Sequence, residues 1–275
     1  MSDLRRLSAD IRRTIIEQSK RANVGHIGSC LSIADLLAAL YGDVLDLPSL
    51  DHPDRDRFVL SKGHAVLALY AALHQTGRLS AELLNNYCVD GSPVGGHPEH
   101  ALEGIEFSTG SLGHGLGIAA GCALAARMTG RPNRTFALVS DAECNEGSLW
   151  EAVMFAAHHQ LSSLVAVVDA NGQQALGYTS DVLDLSPLAE RWATFGWDVH
   201  NVDGHDPDGV AKTIRALDTD AGPPHVLIAG TTFGKGVSYM ERRIHWHYWT
   251  MSDDQYQDAL DQVSAAADAA RNGAR

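Results

Sequence analysis

A chain of 275 residues, 45% hydrophobic and 20% charged, is long enough to bury a sizeable core, which excludes collagen-like, low-complexity and disordered classes. Its 21 Lys and Arg against 34 Asp and Glu leave a formal charge of −13, so no basic field is available for nucleic acid or an anionic membrane. Any phosphate would have to be held by helix ends, histidines or a metal ion.

From the N-terminus, Leu4, Leu7, Ile11, Ile15 and Ile16 recur at helical spacing and predict an amphipathic helix over 3–20. A turn at Asn23–Gly28 follows, and Ser32 is placed to cap a second helix through Tyr41. Arg57–Leu60 reads as a short strand, ended by Ser61-Lys62-Gly63-His64 before an apolar helix, Ala65–His74. Val89–His100 is a Gly- and Pro-rich loop too long for a simple connector, the kind that often carries function. Gly113–Arg127 predicts a helix with a small-residue face. Then come a buried strand at Thr135–Ser140, a helix at Glu146–Gln160 and a second buried strand at Leu164–Val168. Strands near Trp197–Val202 and His225–Ala229 flank a helix at Asp208–Leu217, and a polar helix with an alanine stripe occupies about 252–271. Continuous apolar strands alternating with helices imply an α/β fold: a doubly wound, mostly parallel sheet with helices on both faces. Without a linker or repeat, 1–275 reads as a single domain.

The four cysteines, Cys30, Cys88, Cys122 and Cys144, form no CxxC pair, the pattern of free thiols in a reducing compartment. No stretch approaches the ~20 apolar residues of a membrane span, and the N-terminus lacks the apolar core of a signal peptide. A cytoplasmic location without membrane or nucleic-acid partners is the expectation.

In such a sheet, ligands bind beyond the carboxyl ends of the strands. That rule selects Ser140-Asp141-Ala142-Glu143 and Asp169-Ala170-Asn171-Gly172-Gln173. Asp141 and Asn171 lie 30 residues apart, about one βαβ unit, so adjacent strands would bring a carboxylate and an amide oxygen to one edge. Such oxygens suit Mg²⁺ or Ca²⁺ shared with a cofactor's phosphates, although spacing alone fits a plain helix cap equally well. His26, His64 and His97 each follow a glycine in a turn, where the backbone can approach a ligand closely. Most of the 14 histidines read as structural or solvated, among them His158-His159, and His245-Trp246-His247 has no third metal ligand nearby. Gly115-Leu116-Gly117-Ile118-Ala119-Ala120 is a lone loose match to a dinucleotide motif without a clear preceding strand, and Gly230–Gly236 has the wrong spacing for a P-loop.

Together, GHIGSCLSIADLLAALY, LSKGHA, GGHPE, STGSLGHGL, SDAECNEGSLWEA, VVDANGQ and GKGVSYME, in that order, resemble the N-terminal half of transketolase, more closely the N-terminal subunit of split two-chain transketolases, over about residues 5–260. The resemblance implies an enzyme, a thiamine diphosphate-dependent transferase that moves a two-carbon ketol unit from a ketose (phosphate) donor to an aldehyde acceptor. It implies that Asp141, Asn171 and the main-chain carbonyl of Gln173 bind Mg²⁺ or Ca²⁺, and that His64 and His247 lie near the diphosphate and reaction centre. It further implies that His26 and His97 bond the donor's hydroxyls, and that Gly110 and Leu112 hold the cofactor rings. Glu146 and Glu151 match buried acids that link paired active sites. The aminopyrimidine pocket and its activating glutamate are expected on a C-terminal partner subunit carrying the pyrimidine-binding domain, with two copies of each chain and no activity from this chain alone.

Four residues, Ser140, Ala142, His114 and Tyr248, depart from the family pattern. Ser140-Asp141-Ala142 replaces Gly-Asp-Gly, with Ala142 keeping a backbone N–H that reaches toward phosphate but lacking glycine's access to positive φ. His114 replaces the usual Gln, and Tyr248 the Gly usual after His247. These leave room for two alternatives: another thiamine diphosphate enzyme subunit (deoxyxylulose phosphate synthase-like or 2-oxo acid dehydrogenase-like), or a catalytically silent scaffold.

Overall fold

Hydrophobic periodicity is satisfied by one central sheet in the computed structural model, which describes residues 3–272. In chain order the elements are α1 (Asp3–Ala22), α2 (Ile27–Ser32), α3 (Ala34–Ala39), β1 (Arg57–Leu60), α4 (Val66–Gln75) and α5 (Ala81–Leu84). Then follow α6 (Gly115–Thr129), β2 (Thr135–Ser140), α7 (Gly147–His158), β3 (Leu164–Ala170), β4 (Gln173–Gln174), β5 (Gly177–Tyr178), α8 (Thr179–Val182) and α9 (Leu188–Thr194). Last come β6 (Asp198–Asp203), α10 (Pro207–Arg215), β7 (His225–Gly230) and α11 (Asp253–Asn272).

The strands lie in the order β1-β2-β3-β7-β6, every neighbouring pair parallel. Alternation along each strand divides the core in two. Phe136, Leu138, Val165, Val167 and Leu227 face the layer built on α1–α4, α10 and α11, while Ala137, Val139, Leu164, Ala166 and Val168 face α6, α7 and Trp192 of α9. The helix joining β2 to β3 packs on the second face and the one joining β6 to β7 on the first, so β3 and β7 border a switch point. In open α/β sheets ligands bind at the carboxyl ends of the strands beside such a point. The doubly wound parallel architecture expected from the apolar runs is the one observed.

Helix α1 ends two residues beyond the expected range, at Ala22, and the expected strands are each found within a residue or two. One local expectation is corrected. The chain is already helical from Ile27, with His26 at the N-cap in the left-handed conformation (φ 64°), and Ile33 interrupts the helix before α3. Ser32 is no cap: its hydroxyl is buried and donates to Asp169 Oδ2 at 2.8 Å. Two other glycine-rich segments fall where the sequence placed them. Gly115 and Gly117 open α6 with no strand immediately before them, and Gly230–Gly236 runs from the end of β7 into a loop.

Candidate active site

Register aligns Ser140 with Asp169 and Ala170 with Gly230, so the turns leaving β2, β3 and β7 meet at one edge, beside Ser61–His64 leaving β1. Asp141 and Asn171 are brought together there. Asp141 accepts from the N–H of Ala142 (2.8 Å) and of Gly172 (2.7 Å), while Asn171 Oδ1 accepts from Gln173 N–H at 2.9 Å. Burial, and then the nearby charge of Asp169, raise the Asp141 pKa to about 7 against the pull of those two amides. Gln173 Oε1 is buried without a hydrogen-bond partner. The Asp141 carboxylate and the Asn171 amide oxygen are hard oxygen donors that fit a divalent cation, and the orphaned Gln173 Oε1 is a side-chain atom distinct from the main-chain carbonyl that the resemblance implies.

Three histidines from separate segments form a cluster of their own. Ring centroids lie 5.3 Å apart for His26 and His64, 5.2 Å for His26 and His247, and 5.5 Å for His64 and His247. The His26 N–H donates to the His247 carbonyl at 3.1 Å, tying the α2 turn to the segment after β7. Burial, then the positive charge of Lys62, push the His64 pKa down to about 2. Burial and then His26 lower His247 to about 4, and burial and then His97 lower His26. All three are neutral at neutral pH. The Nδ1 atoms of His26 and His247 are buried and unpartnered, leaving hydrogen-bonding capacity for a ligand.

His97 reaches the cluster from the long loop. It is exposed, and a side chain on Gly110 would place its Cβ 3.1 Å from the His97 ring, so a larger residue in the 109–113 turn would have to push that ring aside. The same turn presses on His64: a Cβ on Gly63 would lie 2.7 Å from the Thr109 carbonyl. Gly110 and His114 line an open cleft of about 320 Å³, and Leu112 is half-buried in the turn between them.

Beneath lies a charged layer that the sequence reading did not single out. Lys62 and Asp169 pair at 2.5 Å with neither side chain exposed. Lys62 Nζ also donates to Ser29 Oγ at 3.0 Å, and Ser29 Oγ lies 3.0 Å from His64 Nε2. Lys62 can only donate, so the Ser29 hydroxyl keeps its own proton, and His64 Nε2 is within its reach. Asp169 also accepts from Asn171 Nδ2 at 2.7 Å and from Thr231 Oγ1. Burial opposes its ionisation, but Lys62 and these donors hold its pKa below the usual carboxylate range. An ionisable residue directly after the apolar run Leu164–Val168 was the signal available for Asp169; Lys62, after Arg57–Leu60 and Ser61, had none as clear.

Glu143 is the second omission. Wholly buried, it accepts from Ser61 Oγ, from Gly113 N–H at 2.7 Å and from Ser140 N–H at 3.4 Å, so one carboxylate joins the ends of β1 and β2 to the Gly110–Leu112 turn. Glu146 and Glu151, expected as buried acids, are exposed in the single chain at the start of α7. Ala142 needs no positive φ, so the missing glycine causes no strain. Its N–H, however, donates to Asp141 Oδ1 rather than standing free for phosphate. His245 turns away from His247 and stacks on Trp249 with centroids 4.5 Å apart. Tyr248 is 58% exposed at the rim, its hydroxyl donating to the Ala175 carbonyl at 3.1 Å. No helix among the described residues is long and apolar enough to cross a membrane.

Residues 4–268 match the family model described as transketolase, thiamine diphosphate binding domain. The chain is 41% identical over 257 residues to one of the named subunits of the apulose-4-phosphate transketolase of Phocaeicola vulgatus, covering 92% of this chain and 91% of that one. It is 37% identical over 264 residues to the 6-deoxy-6-sulfo-D-fructose transketolase subunit SqwG of a Clostridium species, covering 95% of this chain and 96% of that one. Among solved structures, transketolase from Campylobacter jejuni superposes with a TM-score of 0.88 at 27% identity, covering 96% of this chain but 43% of that one.

Proposed function

The chain belongs to the transketolase family, and on that footing we propose that it is the diphosphate-binding subunit of a two-chain transketolase, moving a two-carbon ketol unit from a ketose donor to an aldehyde acceptor. The observation that carries this reading is the triangle of neutral histidines, His26, His64 and His247, joined to the Asp141–Asn171 edge through Ser29, Lys62 and Asp169. A silent scaffold would have no need of two buried, unpartnered imidazole nitrogens.

Thiamine diphosphate, when bound, supplies the carbon nucleophile and the electron sink for breaking and making the carbon–carbon bond. Asp141, Asn171 and the main-chain carbonyl of Gln173 would hold the Mg²⁺ or Ca²⁺ that accompanies its diphosphate, and Gly110 and Leu112 would support its rings. Ala142 can offer its N–H to phosphate once Asp141 turns to the ion. His64 and His247, kept neutral by burial, can donate or accept a hydrogen bond without adding charge beside the reacting atoms. His26 and His97 are placed to bond the hydroxyls of the ketol unit. The donors named for the two relatives differ in carrying a phosphate or a sulfonate, which leaves the ketol end as the part such a domain would handle in common.

The relatives are named as subunits, which supports a partner chain, here one carrying the pyrimidine-binding domain. Leu176, Tyr178, Val182, Leu183, Tyr248 and Trp249, all apolar or aromatic and exposed, offer a face for it. An assembly of two copies of each chain would bury Glu146 and Glu151 of α7. Purifying the chain with and without its partner, then analysing products by mass spectrometry with ketose phosphates and a panel of aldehydes, tests this. Ketol transfer is expected only from the complex; full activity of the lone chain would refute the two-chain reading.

A further inference from the structure

At the opposite end of the sheet, the amino ends of β6 and β7, parallel register sets Asp198 beside His225, and His200 projects to the same face two residues along β6. Asp198 Oδ2 meets both imidazoles, His225 Nδ1 at 3.1 Å and His200 Nε2 at 3.0 Å. One ligating atom from each of the three residues lies within 4.8 Å of the others.

His225 is the informative member. It is 3% exposed, and its Nε2 lies 2.8 Å from the Asp218 carbonyl oxygen. A carbonyl only accepts, so Nε2 carries the ring proton. A neutral His225 therefore aims the lone pair of Nδ1 at a carboxylate oxygen, two acceptors facing each other. A cation between them turns that repulsion into ligation. We propose that Asp198, His200 and His225 form a binding site for a divalent transition-metal ion, Zn²⁺ by its donor set, independent of the ketol-transfer site.

The chemistry is consistent at each point. Two imidazole nitrogens and one carboxylate oxygen suit zinc better than magnesium or calcium, which take oxygens. The His225–Asp218 bond is the outer contact that fixes the tautomer and orientation of a ligating imidazole. Tetrahedral zinc with bonds of ~2.0–2.1 Å separates its ligand atoms by roughly 3.3 Å. The two contacts to Asp198 are already close to that spacing, and only the two rings need to draw together. Asp198 and His200 are 46% and 29% exposed, so the ion has an entry path and a water as fourth ligand. Strand β6 is the edge of the sheet and pairs with β7 alone. The ion would clamp that edge at the end remote from catalysis.

The test uses the untagged full chain in excess Mg²⁺, which keeps the Asp141 edge from taking the probe. Zn²⁺ is titrated by calorimetry, and Co²⁺ reports its coordination by visible absorption. Wild type should bind one more equivalent of Zn²⁺ than His200→Ala, or bind it at least tenfold more tightly, with Co²⁺ bands that the variant lacks. Zn²⁺ should raise the wild-type Tm and leave that of the variant unmoved. Asp198→Asn, also at a part-exposed position, should behave as His200→Ala does, and equal Tm values in EDTA will establish that the variants fold. Equal zinc stoichiometry and affinity in wild type and both variants, or no uptake by wild type, would overturn the site.

Discussion

Lys62 and Asp169 meet at 2.5 Å across the ends of β1 and β3, and neither side chain touches solvent. Lys62 reaches Ser29 and through it His64, while Asp169 holds Ser32, Asn171 and Thr231. One ion pair thus positions both the histidine side and the oxygen-donor side of the site. Breaking such a pair from one side leaves a buried charge without compensation. Lys62→Met should therefore cost about 3–5 kcal/mol in urea denaturation. Lys62→Met combined with Asp169→Leu should recover part of that loss; a single variant as stable as wild type would show that the pair is dispensable.

Asp141→Ala removes the carboxylate we assign to the divalent ion. Calorimetry with Mg²⁺ should find no metal-dependent thiamine diphosphate binding, and Asn171→Ala should weaken binding in the same way. Normal affinity in Asp141→Ala would sink the metal assignment.

His26→Ala and His97→Ala should lower ketol transfer more than cofactor affinity, because hydrogen bonds to reacting hydroxyls matter along the reaction path. A loss of about 10²-fold or more in kcat is expected for a group that assists proton transfer. Parallel measurement of turnover and thiamine diphosphate affinity decides: equal losses in both would make these residues supports of the fold or cofactor.

Protonation of the buried histidines links stability to pH. Their folded pKa values, about 4 for His247 and about 2 for His64, lie below the ordinary histidine value near 6.5. Between those limits the unfolded chain binds protons that the folded chain refuses, so stability rises with pH. The contribution is complete above about pH 6.5 and is lost as pH falls toward 4 and below. Asp141, raised to about 7, contributes the opposite slope over this range, so the histidine part is read by difference: between pH 7 and pH 5, His247→Asn should lose less stability than wild type. An unchanged profile in the variant would mean that His247 titrates normally.

Glu143→Ala would strand the Gly113 N–H and the Ser61 hydroxyl in a dry environment. Each unsatisfied group costs about 1–3 kcal/mol. The 109–113 turn, which passes His64 and His97, should then exchange its amide protons faster. Retained protection at Gly113 would show that another contact holds the turn.

Much of this protein was legible from sequence because the relevant signals are local. Apolar runs such as LVAVV can be satisfied only in a sheet covered on both faces, so strand positions and the parallel α/β class follow from composition and alternation. Asp141 and Asn171, each just past a buried strand and one βαβ unit apart, were marked for the same edge by spacing alone. Tertiary structure decided whatever depends on contacts between distant segments. Lys62 pairs with Asp169, 107 residues away, and Ser32 gives up a capping role for the same carboxylate 137 residues away. Glu143, rather than its neighbour Glu146, is the wholly buried carboxylate, because Ser61 and Gly113 converge on it from other parts of the chain. His247 joins His26 while His245, two residues earlier, stacks on Trp249. The pairing of Asp198 with His225 came from the register of two strands that sequence could place but not align. A local pattern states which face a residue prefers; the partner it finds there is set by how the whole chain closes, since a buried charge or donor must take whatever complementary group the packing delivers.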